Sequence, residues 1–580
     1  MRFFRRIRVL RANRLLPRWY EPFRWTVTIA VLVSLATIVL ETGFRLALPG
    51  WLRFIIHALD YVILALFAAD VVVGYVYAPS RWHHFKRRWL DLAIIVPVVI
   101  SLLTAHSGVA FVVVRQLVIV GQAFTRTRRF AGLLERVRLQ PVAAMALSFV
   151  GLILAGTLLL SFPTATADGR GTPLLDALFT ATSAVCVTGL IVQDTPVFFS
   201  RFGQFVILGL IQLGGLGIMT FSASLAAIFG RRLGAARRRV VADLIEESRN
   251  IDIARTLRYV VLFTFGAEAL GTLLLFVRWL PDFPDPWQAF YLAGFHSVSA
   301  FCNAGFSLFS DSLSRYAGDP AVNLVVIGLI VGGGLGFVVV HEMLNRQTVR
   351  RGPLFSLRRL TAHSRMVLWT TGLLTLAGAV LFFFFEYDGA LAGLSTPSKL
   401  VASVFQAVTP RTAGFNTVPM NGLRPVTLFA FLVLMFVGAS PGSTGGGIKT
   451  STLAVLFLAV RSRLRGRQEV EFHGRVVPRD VVYRASSIAV SSGAIVAAFF
   501  VLLLITEGAA FRDVLFETVS AFGTVGLSTG VTPDLSGLGR VLVVLLMYIG
   551  RLGPLTLALA MRARVSRLPI SYPSTEIMVG

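Results

Sequence analysis

A short segment that recurs four times constrains the fold of this chain more than any other feature. Each copy is a run of small and aromatic residues that ends at a glycine followed by leucine or phenylalanine. The four glycines are Gly189, Gly305, Gly414 and Gly526, which lie 116, 109 and 112 positions apart. A period of about 110 residues indicates a repeat, and it is too long for a solenoid unit. It fits two membrane spans with a loop between them.

The distribution of apolar residues predicts a protein that crosses the membrane many times. Apolar residues make up 55% of the chain and charged residues only 14%. The windows 205–228 and 488–505 contain no charged residue. Helices of about 20 apolar residues are long enough to span a bilayer. Several soluble domains, which the length of 580 residues would allow, are therefore excluded.

The net charge of +26 also has a membrane explanation. In a soluble chain it would indicate a nucleic-acid partner, but here the basic residues form blocks in alternate loops between apolar spans. Such blocks follow the positive-inside rule. We therefore expect no nucleic-acid partner, a plasma (inner) membrane location and both termini in the cytoplasm. The blocks lie within residues 2–24, 81–88, 126–138, 231–239, 346–365, 461–479 and 562–567.

Residues 1–139 are predicted to form a first domain, with a basic N-terminus and four transmembrane helices. The helices are expected at about 25–43, 52–78, 89–104 and 108–125. This stretch resembles the four-helix voltage-sensor domain of cation channels. A working sensor helix carries an arginine at every third position, whereas Arg115 is followed at 118, 121 and 124 by Val, Gly and Phe. We expect a sensor-like bundle with little gating charge or, alternatively, four accessory helices.

Residues 140–580 are predicted to form a second domain, in which the order span, repeat copy and span occurs four times. The first span of each unit is expected at about 142–162, 257–280, 366–386 and 484–506. The second is expected at about 203–229, 322–345, 424–460 and 538–562. The predicted fold is an all-α polytopic membrane protein with four helix–pore-loop–helix repeats around one central pore.

The chemistry of the repeated segment favours a cation. Non-helical backbone at membrane depth survives only where it lines a cavity or is buried in protein. Four such segments can meet on one axis, where a ring of backbone carbonyls replaces the water shell of a cation. Glycine permits the backbone angles that this requires. The short helix before each glycine would direct its negative dipole end toward the ion.

The four copies resemble the selectivity-filter loops of the Trk/Ktr/HKT superfamily of potassium transporters, over about residues 140–565. The resemblance implies potassium as the transported ion. In the plant branch of this family a serine at the first filter position accompanies sodium preference, so Gly189 favours potassium. The implied ion-binding residues are Val187, Thr188, Gly189, Asn303, Ala304, Gly305, Thr412, Ala413, Gly414, Thr524, Val525 and Gly526.

A glycine-rich break interrupts the predicted third inner span at residues 440–452. A nucleotide-binding P-loop is excluded because Ile448 separates Gly447 from Lys449 and no βαβ context precedes it. The break resembles the family's intramembrane loop, which occludes the pore below the filter. The implied gate residues are Gly442, Gly445, Gly446, Gly447 and Lys449, together with Arg551 in the fourth inner span. The alternative for Arg551 is a side chain that extends to the membrane interface.

These observations predict potassium uptake through a single-chain pore, with no cofactor in the chain. The resemblance implies a homodimer in the lipid bilayer and a separate cytosolic nucleotide-binding regulatory ring of the TrkA/KtrA type. The alternatives are a sodium-selective or non-selective transporter on the same scaffold, and a voltage-gated cation channel. An enzyme is not expected, because the sequence shows no nucleophile–base pair or cluster of metal ligands.

Overall fold

The computed structural model describes residues 141–230, 253–344, 360–554 and 556, and the predicted N-terminal domain 1–139 lies outside them. The described chain is helical. We refer to residues 141–230, 253–344, 360–464 and 479–554 as the first to fourth units. Their helices are α1 Pro141–Leu160, α2 Leu174–Val185, α3 Thr195–Phe198 and α4 Arg201–Gly230; α5 Ile253–Trp279, α6 Pro286–Cys302, α7 Pro320–Gly334 and α8 Phe337–Leu344; α9 Ala362–Glu386, α10 Thr396–Val408, α11 Pro425–Phe436 and α12 Thr450–Leu464; and α13 Arg479–Thr506, α14 Phe511–Gly523 and α15 Gly537–Leu552.

The first helix of each unit is long and apolar enough to cross a membrane. These helices are α1, α5, α9 and α13, and they occupy the positions expected for the first spans. Many of their large apolar side chains are exposed, among them Leu154 at 59%, Leu373 at 66% and Ile505 at 77%. Exposure of so much contiguous apolar surface is unfavourable in water, whereas it is favourable against lipid. The chain is therefore a multi-pass membrane protein.

The second helix of each unit is short and enclosed by the others. These short helices are α2, α6, α10 and α14, and each contains a phenylalanine that is almost completely buried, namely Phe179, Phe295, Phe405 and Phe516. Most residues in their C-terminal halves are buried in all four units, with Val404 of α10 an exception. A helix surrounded in this way is held by packing on all sides, which suits small and apolar residues.

The helix that follows each short helix differs between units. In the second unit, α7 and α8 cover the span expected at about 322–345, but they meet at 106°, so the helix is broken there. The bend lies at Gly336, whose φ is +83° and whose missing side chain makes room for the carbonyl of Pro441. In the third unit, α11 and α12 are separated by residues 437–449, as the glycine-rich break predicted.

A two-stranded hairpin is a further departure from helix that sequence patterning did not predict. Strands β1, Val470–Phe472, and β2, Arg475–Val477, pair antiparallel with Val470 opposite Val477. The hairpin joins α12 to α13 within the basic block at 461–479. Only three residues form each strand, which is too short to show a clear alternation of polar and apolar positions.

An ion pair links the first and fourth units. Arg540 at the start of α15 donates to the carboxylate of Asp176 in α2, which is 6% exposed and also accepts from Gln193 Nε2 at 3.0 Å. Because the two residues are 364 positions apart, the contact joins the beginning of the described chain to its end.

Candidate functional site

Each short helix ends in a turn with an unusual backbone. In residues 187–189, 303–305, 412–414 and 524–526, which we call the four glycine turns, the first and third residues have positive φ. The first residues have φ of +56° (Val187), +61° (Asn303), +74° (Thr412) and +50° (Thr524), and the glycines have +92°, +71°, +78° and +90° in chain order. Positive φ is costly for valine and threonine. The same strained conformation occurs in all four units, which indicates that the surrounding structure enforces it.

Hydrogen bonds from the preceding helix hold each turn. The amide of Thr188 donates to the carbonyl of Ser183 at 2.8 Å, and the amide of Gly189 donates to Ser183 Oγ at 3.0 Å. Ser520 makes the same pair of bonds to Val525 and Gly526, at 2.9 and 3.2 Å.

In the second and third units a side-chain hydroxyl donates a hydrogen bond to the residue that follows the ring glycine. Ser299 Oγ donates to the carbonyl of Phe306 at 2.7 Å, and Thr409 Oγ1 donates to that of Phe415. Sequence analysis did not identify these four hydroxyls. The available signal was a serine or threonine five or six residues before every repeat glycine.

The four glycines form a closed ring. A methyl group built on Gly189 would lie 2.5 Å from the carbonyl oxygen of Ala304, and one on Gly305 would lie 2.9 Å from Gly414 Cα. One on Gly414 would lie 2.6 Å from the carbonyl oxygen of Val525, and one on Gly526 would meet the carbonyl of Thr188. Each turn thus touches the next in chain order, and the last touches the first. Only glycine leaves room for backbones to approach so closely.

The segment between α11 and α12, residues 437–449, passes against this ring. A methyl group on Gly445 would lie 3.1 Å from Thr412 Cβ, and one on Gly446 would lie 3.0 Å from Thr524 Cγ2. Two of the predicted gate glycines therefore contact two of the glycine turns. Gly447 has a φ of +65° and lies beside Gly438, whereas Gly442 packs against Phe337 at the α7–α8 bend.

Backbone hydrogen bonds attach the α11–α12 segment to the second unit. The amides of Ser440 and Thr444 donate to the carbonyls of Gly334 and Gly333, at 3.1 and 3.2 Å. The Lys449 ammonium donates to the segment's own carbonyl at Gly445, at 2.7 Å. The segment is thus a defined structure, although helical hydrogen bonding is interrupted across it.

Arg551 connects the α11–α12 segment to α4 of the first unit. Its side chain is 3% exposed, and its guanidinium donates to the carbonyl of Thr444 and, at 2.9 Å, to that of Gly214 in α4. Within the described residues it forms no ion pair with a carboxylate, and its Nε has no hydrogen-bond partner. Arg551 is thus enclosed by carbonyls of the third and first units and is not exposed on the surface of the described chain.

Membrane-spanning helices around a buried ring of backbone turns define a multi-pass membrane protein with a polar backbone site in its interior. The sequence matches the family model described as "TrkH: Cation transport protein" over residues 132–567, and the chain belongs to this family. The family consists of transporters, so the chain is not an enzyme.

Curated relatives support the same assignment. The chain is 41% identical to the Ktr system potassium uptake protein B of Vibrio alginolyticus, over 75% of this chain and 94% of that one. It is 40% identical to the protein of the same name from Bacillus subtilis, over 77% and 98%. Among solved structures, the potassium transporter TrkH from Vibrio parahaemolyticus superimposes with a TM-score of 0.59, over 81% of this chain and 95% of that one. At 19% identity this last similarity shows a common fold.

Proposed function

We propose that this protein takes up potassium through a single pore formed by four helix–pore-loop–helix repeats. The observation that carries the proposal is the closed ring of four glycine turns at the ends of four buried short helices. The twelve residues of these turns, 187–189, 303–305, 412–414 and 524–526, would bind the ion through main-chain carbonyls. Two relatives of 40% identity or more carry the name potassium uptake protein, which supports potassium as the substrate.

Two physical features favour a cation at this ring. The C-terminal ends of the short helices lie next to the turns, and such ends carry partial negative charge. Carbonyl oxygens crowded around one axis offer a ready substitute for the water that a monovalent ion loses on entry. Potassium would then move down its electrochemical gradient into the cell.

The α11–α12 segment and Arg551 are proposed as the gate. Gly445 and Gly446 contact the ring, and Arg551 donates to the neighbouring Thr444 carbonyl. In the proposed function the segment would therefore lie across the approach to the turns. A fixed positive charge at this depth opposes the passage of cations. Opening would require the segment and the arginine to move together.

The proposed assembly is a homodimer in the plasma (inner) membrane, with both termini in the cytoplasm and with a separate nucleotide-binding regulatory ring of the TrkA/KtrA type. The exposed arginines between α12 and α13 offer a surface for such a partner, because acidic groups are attracted to them. No cofactor within the chain is proposed.

A second candidate is a transporter that also carries sodium. The chain is 35% identical, over 77% of its own length and 98% of the relative's, to a protein of Enterococcus hirae named potassium/sodium uptake protein NtpJ. Every transport measurement should therefore follow both ions.

The test is uptake of potassium and sodium in a host that lacks its own potassium uptake systems. We expect growth at low potassium to be rescued by the wild type and abolished by Gly305→Ser, because a side chain there would lie 2.9 Å from Gly414 Cα. Gly328→Ser is the matched control, since the second unit leaves open space at that glycine. The proposal would be refuted if Gly305→Ser left both fluxes unchanged, and uptake of sodium together with potassium by the wild type would favour the second candidate.

A further inference from the structure

A second buried arginine lies directly behind the third glycine turn. Arg411 precedes Thr412 in the chain and is 7% exposed. Among the arginines in the part of the chain that the structure describes, Arg411 and Arg551 are the buried ones. Arg411 does not contact the α11–α12 segment through any described hydrogen bond, so the proposed gate does not account for it.

The partners of Arg411 are all neutral. Its guanidinium donates to the carbonyl and hydroxyl of Thr371 at 3.3 and 3.4 Å and to the hydroxyl of Thr375 at 3.2 Å. Both threonines belong to α9, one of the membrane-spanning helices. The Nε atom of Arg411 has no hydrogen-bond partner, and no described carboxylate forms an ion pair with it. The positive charge is therefore not neutralised locally.

The corresponding positions in the other units are different. Three residues before the ring glycine, the first and second units have Cys186 and Cys302, and the fourth has Gly523. Cys302 Sγ lies 3.9 Å from the buried carboxyl of Glu268. A buried carboxyl group therefore lies behind the ring in the second unit, and a buried guanidinium group lies behind it in the third.

Burying an unpaired guanidinium is costly, so a role in packing alone does not explain it. A neutral side chain of similar length could fill the same volume at lower cost. A permanent positive charge on the residue that adjoins the ring in the chain has a specific effect, because it weakens the binding of a cation there. Conduction requires an ion to leave as readily as it enters, so weaker binding can increase the rate of transport.

We propose that Arg411 determines the affinity of the ring for its cation through its charge, acting as a positioning residue behind the third glycine turn. This inference rests on the proposed potassium transport. It predicts that loss of the charge makes the ring bind potassium more tightly and release it more slowly.

The experiment compares potassium uptake by the full-length wild type and Arg411→Gln across a range of potassium concentrations. We expect the half-saturating concentration to fall about fivefold in the variant, because a nearby like charge is removed from a poorly solvated site. The maximal rate should fall at the same time, since release becomes slower. Arg411→Lys keeps a cation at this position and should remain within about twofold of the wild type on both measures.

Thr375→Val is the matched control, because it removes a hydrogen-bond partner of Arg411 but keeps the charge. Its half-saturating concentration should stay close to that of the wild type. If Arg411→Gln does not elute as a folded protein in size-exclusion chromatography, Arg411→Met provides the same test with an apolar side chain.

An unchanged or increased half-saturating concentration in a folded Arg411→Gln protein would overturn the inference, as would equal effects of Arg411→Gln and Thr375→Val. Failure of this inference is distinguishable from failure of the proposed function. If Gly305→Ser abolishes uptake while Arg411→Gln leaves the half-saturating concentration unchanged, the transport function stands and only the role of Arg411 is lost.

Discussion

Replacing Arg551 with alanine should make the transporter leak. Arg551 donates to the carbonyls of Thr444 and Gly214, and Thr444 immediately precedes Gly445, which lies against the third glycine turn. The substitution therefore removes a buried charge close to the proposed ion path. It also removes two hydrogen bonds that hold the α11–α12 segment in place.

The magnitude can be estimated from electrostatics. A unit charge about 8 Å from a passing monovalent cation raises the energy of that cation by about 2 kcal/mol at an effective dielectric constant of about 20. Removing it corresponds to a rate increase of about thirtyfold. Each charge-assisted hydrogen bond contributes about 1.5–3 kcal/mol, so its loss frees the segment to move and acts in the same direction. We therefore expect the basal flux to rise by at least about tenfold.

The assay is potassium influx into liposomes that contain only the purified protein. Arg512→Ala serves as the control, since Arg512 is 54% exposed and pairs with Asp513 at the start of α14. A folded Arg551→Ala protein with a flux equal to or below that of the wild type would contradict the barrier role. An equal rise in the Arg512 variant would show that the effect is not specific to the gate.

Two further predictions concern the support of the ring. Ser183→Ala leaves the amide of Gly189 without its acceptor at 3.0 Å. Since such a bond contributes about 1 kcal/mol, the preference for potassium over sodium should fall about fivefold in competition uptake. An unchanged ratio of potassium to sodium uptake would show that the hydroxyl does not shape the ring. Asp176→Asn breaks the buried pair between the first and fourth units and should destabilise the protein by about 3 kcal/mol, seen as a lower unfolding temperature in detergent. Asp513→Asn, which alters an exposed pair, is the comparison, and equal stability of the two variants would rule out a special role for Asp176.

The sequence predicted the elements whose cause is local. Four apolar helices, the short helices between them and the glycine-rich interruption of the third unit could be located from hydropathy and from glycine spacing. The ring glycines could be identified because glycine adopts a left-handed backbone without strain from a Cβ atom, and a glycine occurs at the same place in every copy of the repeat.

Features that depend on distant parts of the chain could not be predicted in this way. The bend at Gly336 arises because the carbonyl of Pro441, more than 100 residues away, occupies the space beside it. The four hydroxyls that support the turns are ordinary helix residues in sequence and gain their role only from the fold. The sequence analysis assigned no role to Arg411, because its burial against α9 cannot be deduced from its neighbours in the chain.

The side chain of Arg551 belongs to the fourth unit and contacts carbonyls of the third and first. Such an arrangement is possible only because one polypeptide contains four unequal quarters. In an assembly of four identical subunits, every copy would bring its own arginine and its own interrupting segment to a space that holds one of each. Because the four units belong to a single chain, they can differ in sequence, so that one interrupting segment and one arginine lie where a symmetric assembly would place four of each.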